Sequence, residues 1–364
     1  MLVFLLFDIL ISLQDTIQKI KVNHMKVVGL YKYLPIENKE SLLDLELDKP
    51  NPSGRDILVA VQAVSVNPVD TKIRAPKQDV EEKPKVLGWD AAGKVVAIGD
   101  KVKHFQVGDE VYYAGDITRS GSNAEFQLID ERIVGKKPSK LSFSEAAALP
   151  LTTITAWESL FDKLGICKEG RHAGKTLLVI GGAGGVGSIT IQLAKNLAKL
   201  KVIATASRSE THDWVEKLGA DHIINHRNSI DDELENISIE TVDYVLCLNS
   251  TEQHWQAMVN VIKPQGKICS IVDTKEAVDI NLLKPKSATF VWEFMYTRSM
   301  FQTEDMIEQQ NILNSVAQLV DEGKINTTLN KVVSPINAKN LRQVHADIEM
   351  GNAIGKTVLS GWYK

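Results

Sequence analysis

The stretch that most limits what this chain can fold into runs from Lys175 to Leu200, KTLLVIGGAGGVGSITIQLAKNLAKL. Thr176 to Ile180 form an apolar, partly β-branched run of strand length; a glycine-dense turn follows, and then an amphipathic helix. Gly182, Gly184 and Gly187 keep a G-x-G-x-x-G spacing, and each place has a physical reason to lack a side chain. The first permits a tight turn, the second lets backbone approach a pyrophosphate, and the third lets helix and strand pack closely. Ile189, Leu193 and Leu197 recur at i, i+4, i+8 with Ala194 and Ala198 beside them, giving one apolar helical stripe. The helix N-terminus aims unpaired N–H groups at the turn, so Gly182, Ala183, Gly184, Gly185, Val186 and Gly187 form a candidate anion cradle. Glycine-rich turns also join elements for steric reasons alone, but here the strand and helix that the motif requires are both present.

A chain of 364 residues is too long for one ordinary core and implies two domains. With 44% hydrophobic and 24% charged residues it reads as globular. A net charge of −4, without any Lys/Arg run interleaved with aromatics, argues against nucleic acid. Cys167, Cys247 and Cys269 are distant and odd in number, which suggests no disulfide framework and a reducing cytoplasm. The N-terminal MLVFLLFDILISL imitates a targeting segment. It nevertheless lacks a preceding basic residue and a small-x-small site, carries Asp8, and is shorter than the ~20 residues of a spanning helix. Residues 1–24 therefore read as an extension, an added or upstream sequence, with an interfacial helix as the alternative.

From Met25 to about Pro150 the chain shows short strands between Gly, Pro and Asn turns, among them Asp56 to Val66, Ala92 to Ile98, Asp109 to Tyr113 and Ala124 to Ile129. Ser142 to Asp162 is helical in character with Pro150 as a break, which places the domain boundary there. After the glycine turn, strands at Lys201 to Ala206, His222 to Asn225, Val242 to Leu248 and Lys267 to Val272 alternate with helices at Glu210 to Leu218 and Glu252 to Ile262. Alternation of this kind predicts a parallel sheet with right-handed crossovers. A sixth strand at Ala288 to Phe294 completes a doubly wound sheet. A helix from Thr303 to Glu322, a strand at Leu329 to Val333, a helix from Ala338 to Met350 and a strand from Thr357 to Ser360 break the alternation and are expected to return to the first domain. The expected domains are thus 25–150, 151–295 and a returning segment, 296–364.

Cofactor choice is read about 20 residues past the glycines, where an Asp or Glu favours a free ribose 2′-OH. This chain has Ala204-Thr205-Ala206-Ser207-Arg208-Ser209, with no acid before Glu210. A 2′-phosphate is repelled by carboxylate and held by hydroxyl and guanidinium, so Ser207 and Arg208 predict NADPH. Arg208 as a plain solvated loop residue is the competing reading.

The ordered stretches SVNPVDTKIR (65–74), VLGWDAAGKVVAIG (86–99), FQVGDEVY (105–112), AALPLTTITAWESLF (147–161), the glycine turn, KLGADHIIN (217–225) and GKTVL (355–359) make the chain resemble the medium-chain dehydrogenase/reductase superfamily. Within it the chain is similar to the quinone oxidoreductase branch and to bacterial zinc-type alcohol dehydrogenase-like proteins. The resemblance implies an α/β fold: a doubly wound Rossmann domain for the cofactor plus a β-rich GroES-like catalytic domain, with the active site between them.

In zinc-dependent members of that superfamily a Cys stands where Asn67 stands here, and Gly-His-Glu where Gly88-Trp89-Asp90 stands. Amide for thiolate and indole for imidazole remove two ligands, no cysteine precedes Cys167, and His222 and His226 straddle a strand end. No zinc is therefore expected. The resemblance implies a quinone or α,β-unsaturated carbonyl as substrate, with Asn67 near nicotinamide and substrate, and Thr155 at the nicotinamide amide. Some relatives carry a Tyr where Lys72 stands, so Lys72 is a candidate catalytic group if it points inward and a solvated residue otherwise. Trp89, Trp292 and Tyr296 are candidates for an aromatic wall, or plain core. The sixth strand's free edge predicts a homodimer. A zinc-dependent alcohol dehydrogenase with unusual ligands and an NADPH-binding sensor without turnover are the competing functions.

Overall fold

The computed structural model describes residues 24–362, so nearly all of the extension read at the N-terminus lies outside the described residues. The β-rich part opens with β1 (His24–Lys32), β2 (Leu43–Asp48) and β3 (Asp56–Ser65) and the short helix α1 (Pro68–Arg74). Strands β4 (Val80–Val86), β5 (Asp90–Ile98), β6 (Glu110–Tyr113), β7 (Phe126–Asp130) and β8 (Val134–Lys136) follow. β1 pairs antiparallel with β2 and β4. β3 pairs along most of its length with β5, while its other edge takes β7 at Asp56 to Ala60. With both edges occupied, DILVAVQAVS is buried at most positions instead of alternating. The strands expected at 56–66, 92–98, 109–113 and 124–129 are present apart from their ends, as β3, β5, β6 and β7, whereas β2, β4 and β8 were not singled out in the sequence.

Helices α2 (Phe143–Ala147) and α3 (Pro150–Trp157) lead into the second part. Pro150 opens α3 at its first turn, where a missing N–H costs nothing, and every residue of α3 is buried. Then come β9 (Thr176–Ile180), α4 (Gly185–Asn196), β10 (Lys201–Thr205), α5 (Ser209–Lys217), β11 (His222–Ile224), α6 (Ile230–Asn236), β12 (Val242–Cys247), α7 (Thr251–Val261), β13 (Ile262–Ser270) and β14 (Thr289–Trp292). The sheet is parallel, in the order β11-β10-β9-β12-β13-β14. The chain leaves β9 toward one edge and resumes on its other side at β12, so the topological switch point lies at the ends of these two strands, where doubly wound sheets bind ligands. Helix α6 was not expected, because IDDELEN lacks an apolar stripe. Its signals are the cap, where Ser229 Oγ accepts from the Asp232 N–H, and three acids in the first turn.

The helix expected from Thr303 to Glu322 begins only at Glu308; before it lies a short helix that was not expected, α8 (Thr297–Phe301), closed by Gln302 in a left-handed conformation with φ of 48°, and the expected helix is α9 (Glu308–Asp321). The chain ends with β15 (Leu329–Val333), α10 (Ala338–Glu349) and β16 (Lys356–Ser360). β16 pairs in parallel with β15 and antiparallel with the end of β3, so the last segment joins the β-rich sheet. Just before β16, Gly355 N–H donates to Ala183 O at 2.9 Å, which binds the same segment to the glycine turn. Among the described residues no helix is long and apolar enough to cross a membrane.

Candidate active site

The glycine turn leaves β9 through Gly181, whose φ of +91° is the left-handed step, so the tight-turn role expected of Gly182 belongs one residue earlier. Gly182 must lack a side chain for another reason: a Cβ there would lie 2.9 Å from Cβ of Ala204 on β10. The turn is tied to β10 by Gly181 N–H to Thr205 Oγ1 at 2.9 Å and Gly182 N–H to Thr205 O at 3.2 Å. Gly184 is the N-cap of α4, and Gly187 packs against the turn so closely that a Cβ would sit 2.4 Å from Gly182 O. Gly185 lies against the β-rich part, where a Cβ would be 2.8 Å from Cδ of Lys356 and 2.9 Å from Cγ2 of Thr152.

Beyond β10, Ser207 and Arg208 border an open cavity of about 390 Å³ that Ser209, His212, Asn225 and Glu233 also line. The Glu233 carboxylate is committed to Asn225 N–H at 2.9 Å and Asn228 Nδ2 at 2.7 Å. Arg208 donates from Nη1 to Asn352 Oδ1 at 2.8 Å and from Nη2 to Asn352 O at 3.1 Å, and its Nε lies 3.2 Å from Glu210 Oε1. The guanidinium thus borders the cavity with Asn352 and Glu210 as its partners.

A buried polar group lies where four elements meet. Asn67 caps α1, held by Pro68 at the first helical position and by a reciprocal bond in which Asn67 N–H donates to Asp70 Oδ2 at 2.5 Å. Asp90 opens β5; its Oδ1 accepts from Leu151 N–H of α3 at 2.7 Å and its Oδ2 from Asn67 Nδ2 at 2.8 Å. Lys356 opens β16 and donates from Nζ to Val66 O at 2.8 Å and to Asn67 Oδ1, with Asp90 Oδ2 3.4 Å away. All four side chains are buried. Burial pushes Asp70 up to about 7 and raises Asp90, whose rise is opposed by the ammonium of Lys356; burial likewise lowers Lys356.

Sequence reasoning named Asn67 and missed Asp70 and Lys356. The available signal for Lys356 was a lysine at the head of a short strand, KTVLS, in which Val358 and Leu359 are also buried, since a buried charge requires partners. Lys72 is directed outward instead, with a side chain 55% exposed and Nζ 3.7 Å from Asp273 Oδ1. Thr155 is buried in α3 and donates from Oγ1 to Leu151 O at 2.8 Å. Trp89 and Tyr296 meet edge-to-face with centroids 6.2 Å apart. Trp292 packs on Phe290 in β14 and is exposed, whereas that pair is buried. Neither Trp89 Nε1 nor Tyr296 Oη has a hydrogen-bond partner among the described residues.

Comparison with known proteins is consistent along the chain. A profile of the alcohol dehydrogenase GroES-like domain matches residues 53–153, and one of zinc-binding dehydrogenases matches residues 218–359. A zinc-type alcohol dehydrogenase-like protein of Staphylococcus epidermidis is 43% identical over 337 residues, covering 92% of this chain and 99% of its own length. The chain belongs to the medium-chain dehydrogenase/reductase superfamily. A crystal structure from Rhizobium etli, described as a candidate zinc-dependent alcohol dehydrogenase, superposes with a TM-score of 0.89 at 50% identity, covering 94% of this dehydrogenase/reductase chain and 99% of the other. The quinone oxidoreductase of Coxiella burnetii superposes at 0.75 with 25% identity over 93% and 99%. The family makes this chain an oxidoreductase of the NAD(P)-binding fold with a GroES-like partner unit.

Proposed function

We propose that the protein is an NADPH-dependent, zinc-independent reductase of quinones or α,β-unsaturated carbonyls, with residues 25–150 and 296–364 forming the substrate domain and 151–295 the cofactor domain. The observation that carries this reading is the buried Asn67, Asp90 and Lys356 group beside the start of α4. It suits a polar organic substrate and does not suit zinc. Trp89 offers an indole N–H, which only donates. Both oxygens of Asp90 already accept hydrogen bonds, and the Lys356 ammonium next to them repels a dication.

NADPH, when bound, supplies a hydride from nicotinamide C4. The turn from Gly182 to Gly187 and the N-terminus of α4 cradle its pyrophosphate, and Ser207 and Arg208 take the 2′-phosphate. Thr155 spends its hydroxyl proton on Leu151 O, which leaves oxygen lone pairs for the nicotinamide amide. Reduction at the carbon β to a carbonyl puts charge on the carbonyl oxygen, and the second N–H of Asn67 Nδ2 is the group that meets it. Lys72 takes no part. Similarity to the Coxiella quinone oxidoreductase supports the substrate class.

Turnover is measured as NADPH oxidation at 340 nm with a panel of quinones and enones, beside metal analysis and a chelator control. Turnover that survives metal removal is expected. Loss of activity on chelation with stoichiometric zinc would overturn the metal reading, and tight NADPH binding without turnover would point to a sensor. The protein is also proposed to be a cytoplasmic homodimer joined along the edge strand β14, at whose end Trp292 is exposed, with Phe294 exposed two residues on. A monomeric mass by light scattering would refute the dimer.

A further inference from the structure

The side-chain amide of Asn67 is nearly symmetric in shape, and what separates its two ends is what faces them. On one side stands an ammonium, which can only donate; on the other a carboxylate, which accepts. A half-turn of the amide would set N–H against N–H and oxygen against oxygen. Both neighbours are themselves anchored, Lys356 by Val66 O at 2.8 Å and Asp90 by Leu151 N–H at 2.7 Å. One N–H of Asn67 Nδ2 is thereby spent on Asp90, and the other is held in a single direction.

We propose that Lys356 is a positioning residue for the reductase site, holding the Asn67 amide in the one orientation that presents its free N–H to a substrate oxygen. The inference rests on the reductase reading above. Lys356 also ties that orientation to the cofactor turn. Its stem lies against Gly185 at the first residue of α4, and the residue before it, Gly355, donates to Ala183 O at 2.9 Å. A lysine separated from Asn67 by 289 residues in sequence thus connects the catalytic amide to the phosphate cradle.

K356M alone leaves Asp90 as an uncompensated buried charge and destabilises the fold, so the deciding protein is K356M/D90N, with N67A and K356R beside it. NADPH oxidation is followed with menadione and methyl vinyl ketone, together with Tm and NADPH affinity. With the amide free to turn, kcat of K356M/D90N is expected to fall about 100-fold, the loss typical of about 1 Å of misplacement, while KM for NADPH stays within about threefold. K356R, which keeps the charge and the donor, is expected to recover kcat to within about tenfold of wild type. Because Lys356 acts through Asn67, adding K356M/D90N to N67A is expected to lower kcat no further than N67A does. A folded K356M/D90N with wild-type kcat, or losses that multiply in the N67A background, overturns the positioning role. Wild-type protein that oxidises NADPH with neither acceptor overturns the reductase reading itself, and the role of Lys356 with it.

Discussion

Two glycines of the turn, three residues apart, should fail in different ways. At Gly187 a Cβ would stand 2.4 Å from Gly182 O and 2.5 Å from Gly181 O, both backbone atoms that cannot swing aside. Relieving the closer contact to about 3.2 Å moves the start of α4 away from the end of β9 by about 0.8 Å, and overpacking of that kind costs about 1–3 kcal/mol. For a chain of 364 residues, with an unfolding entropy of about 0.76 kcal/mol/K, the cost appears as a fall in Tm of about 1–4 °C. At Gly184 the nearest atom to a Cβ is Gly181 O at 3.6 Å, an ordinary contact, and its φ of −73° suits any residue. Gly184→Ala should therefore fold with a Tm within about 2 °C of wild type, since an N-cap glycine exchanged for alanine costs only about 1 kcal/mol or less. The methyl would instead occupy the space a pyrophosphate needs, raising the NADPH Kd about tenfold or more. Differential scanning fluorimetry and fluorescence titration of both variants separate the two effects. Unchanged NADPH affinity in Gly184→Ala refutes the cradle, and an unchanged Tm in Gly187→Ala refutes the packing argument.

Two further outcomes are expected. Arg208→Ala should weaken NADPH about 10- to 100-fold by loss of one charge-assisted pair, and NADH less than about threefold, as read by titration; equal losses, or a wild type without preference, would count against a 2′-phosphate at Ser207 and Arg208. His345 is buried with neither ring nitrogen hydrogen-bonded among the described residues, and burial, aided by the charge of Arg74, pushes it down from 6.5 to about 3. Between those values the unfolded chain binds the extra proton, so stability is complete above pH 6.5 and is lost as the pH falls toward 3. Denaturant titrations at pH 7.5 and 4.5 should show a drop of about 2–3 kcal/mol that His345→Leu abolishes, and an identical drop in the variant would refute the assignment.

Much of the fold was legible because its signals are local. The run Thr176 to Ile180, the glycines after it and the alternating periodicities predict a parallel sheet, since a strand buried on both faces reads as a continuous apolar run. Segments with other local signals were missed: α6 announces itself through Ser229 and its acids rather than through periodicity, and the five-residue α8, closed by the left-handed Gln302, is too short to show a stripe. At the candidate site, Asn67 was visible through its motif. Asp90 was visible only as a position where a metal ligand is usual.

The glycine spacing and the missing acid before Glu210 were enough, in the sequence alone, to specify a dinucleotide site and to favour a phosphorylated ribose, because strand, turn and helix are contiguous and their chemistry travels with the chain. Which lysine stands beside Asn67 was decided only in three dimensions. Lys72 is five residues away and turns outward on α1, whereas Lys356 arrives from the far end of the chain on β16. The placement of Lys356 does not follow from periodicity, because it depends on the pairing of β16 with β3 and on burial deep enough to make an ammonium, an amide and a carboxylate satisfy one another.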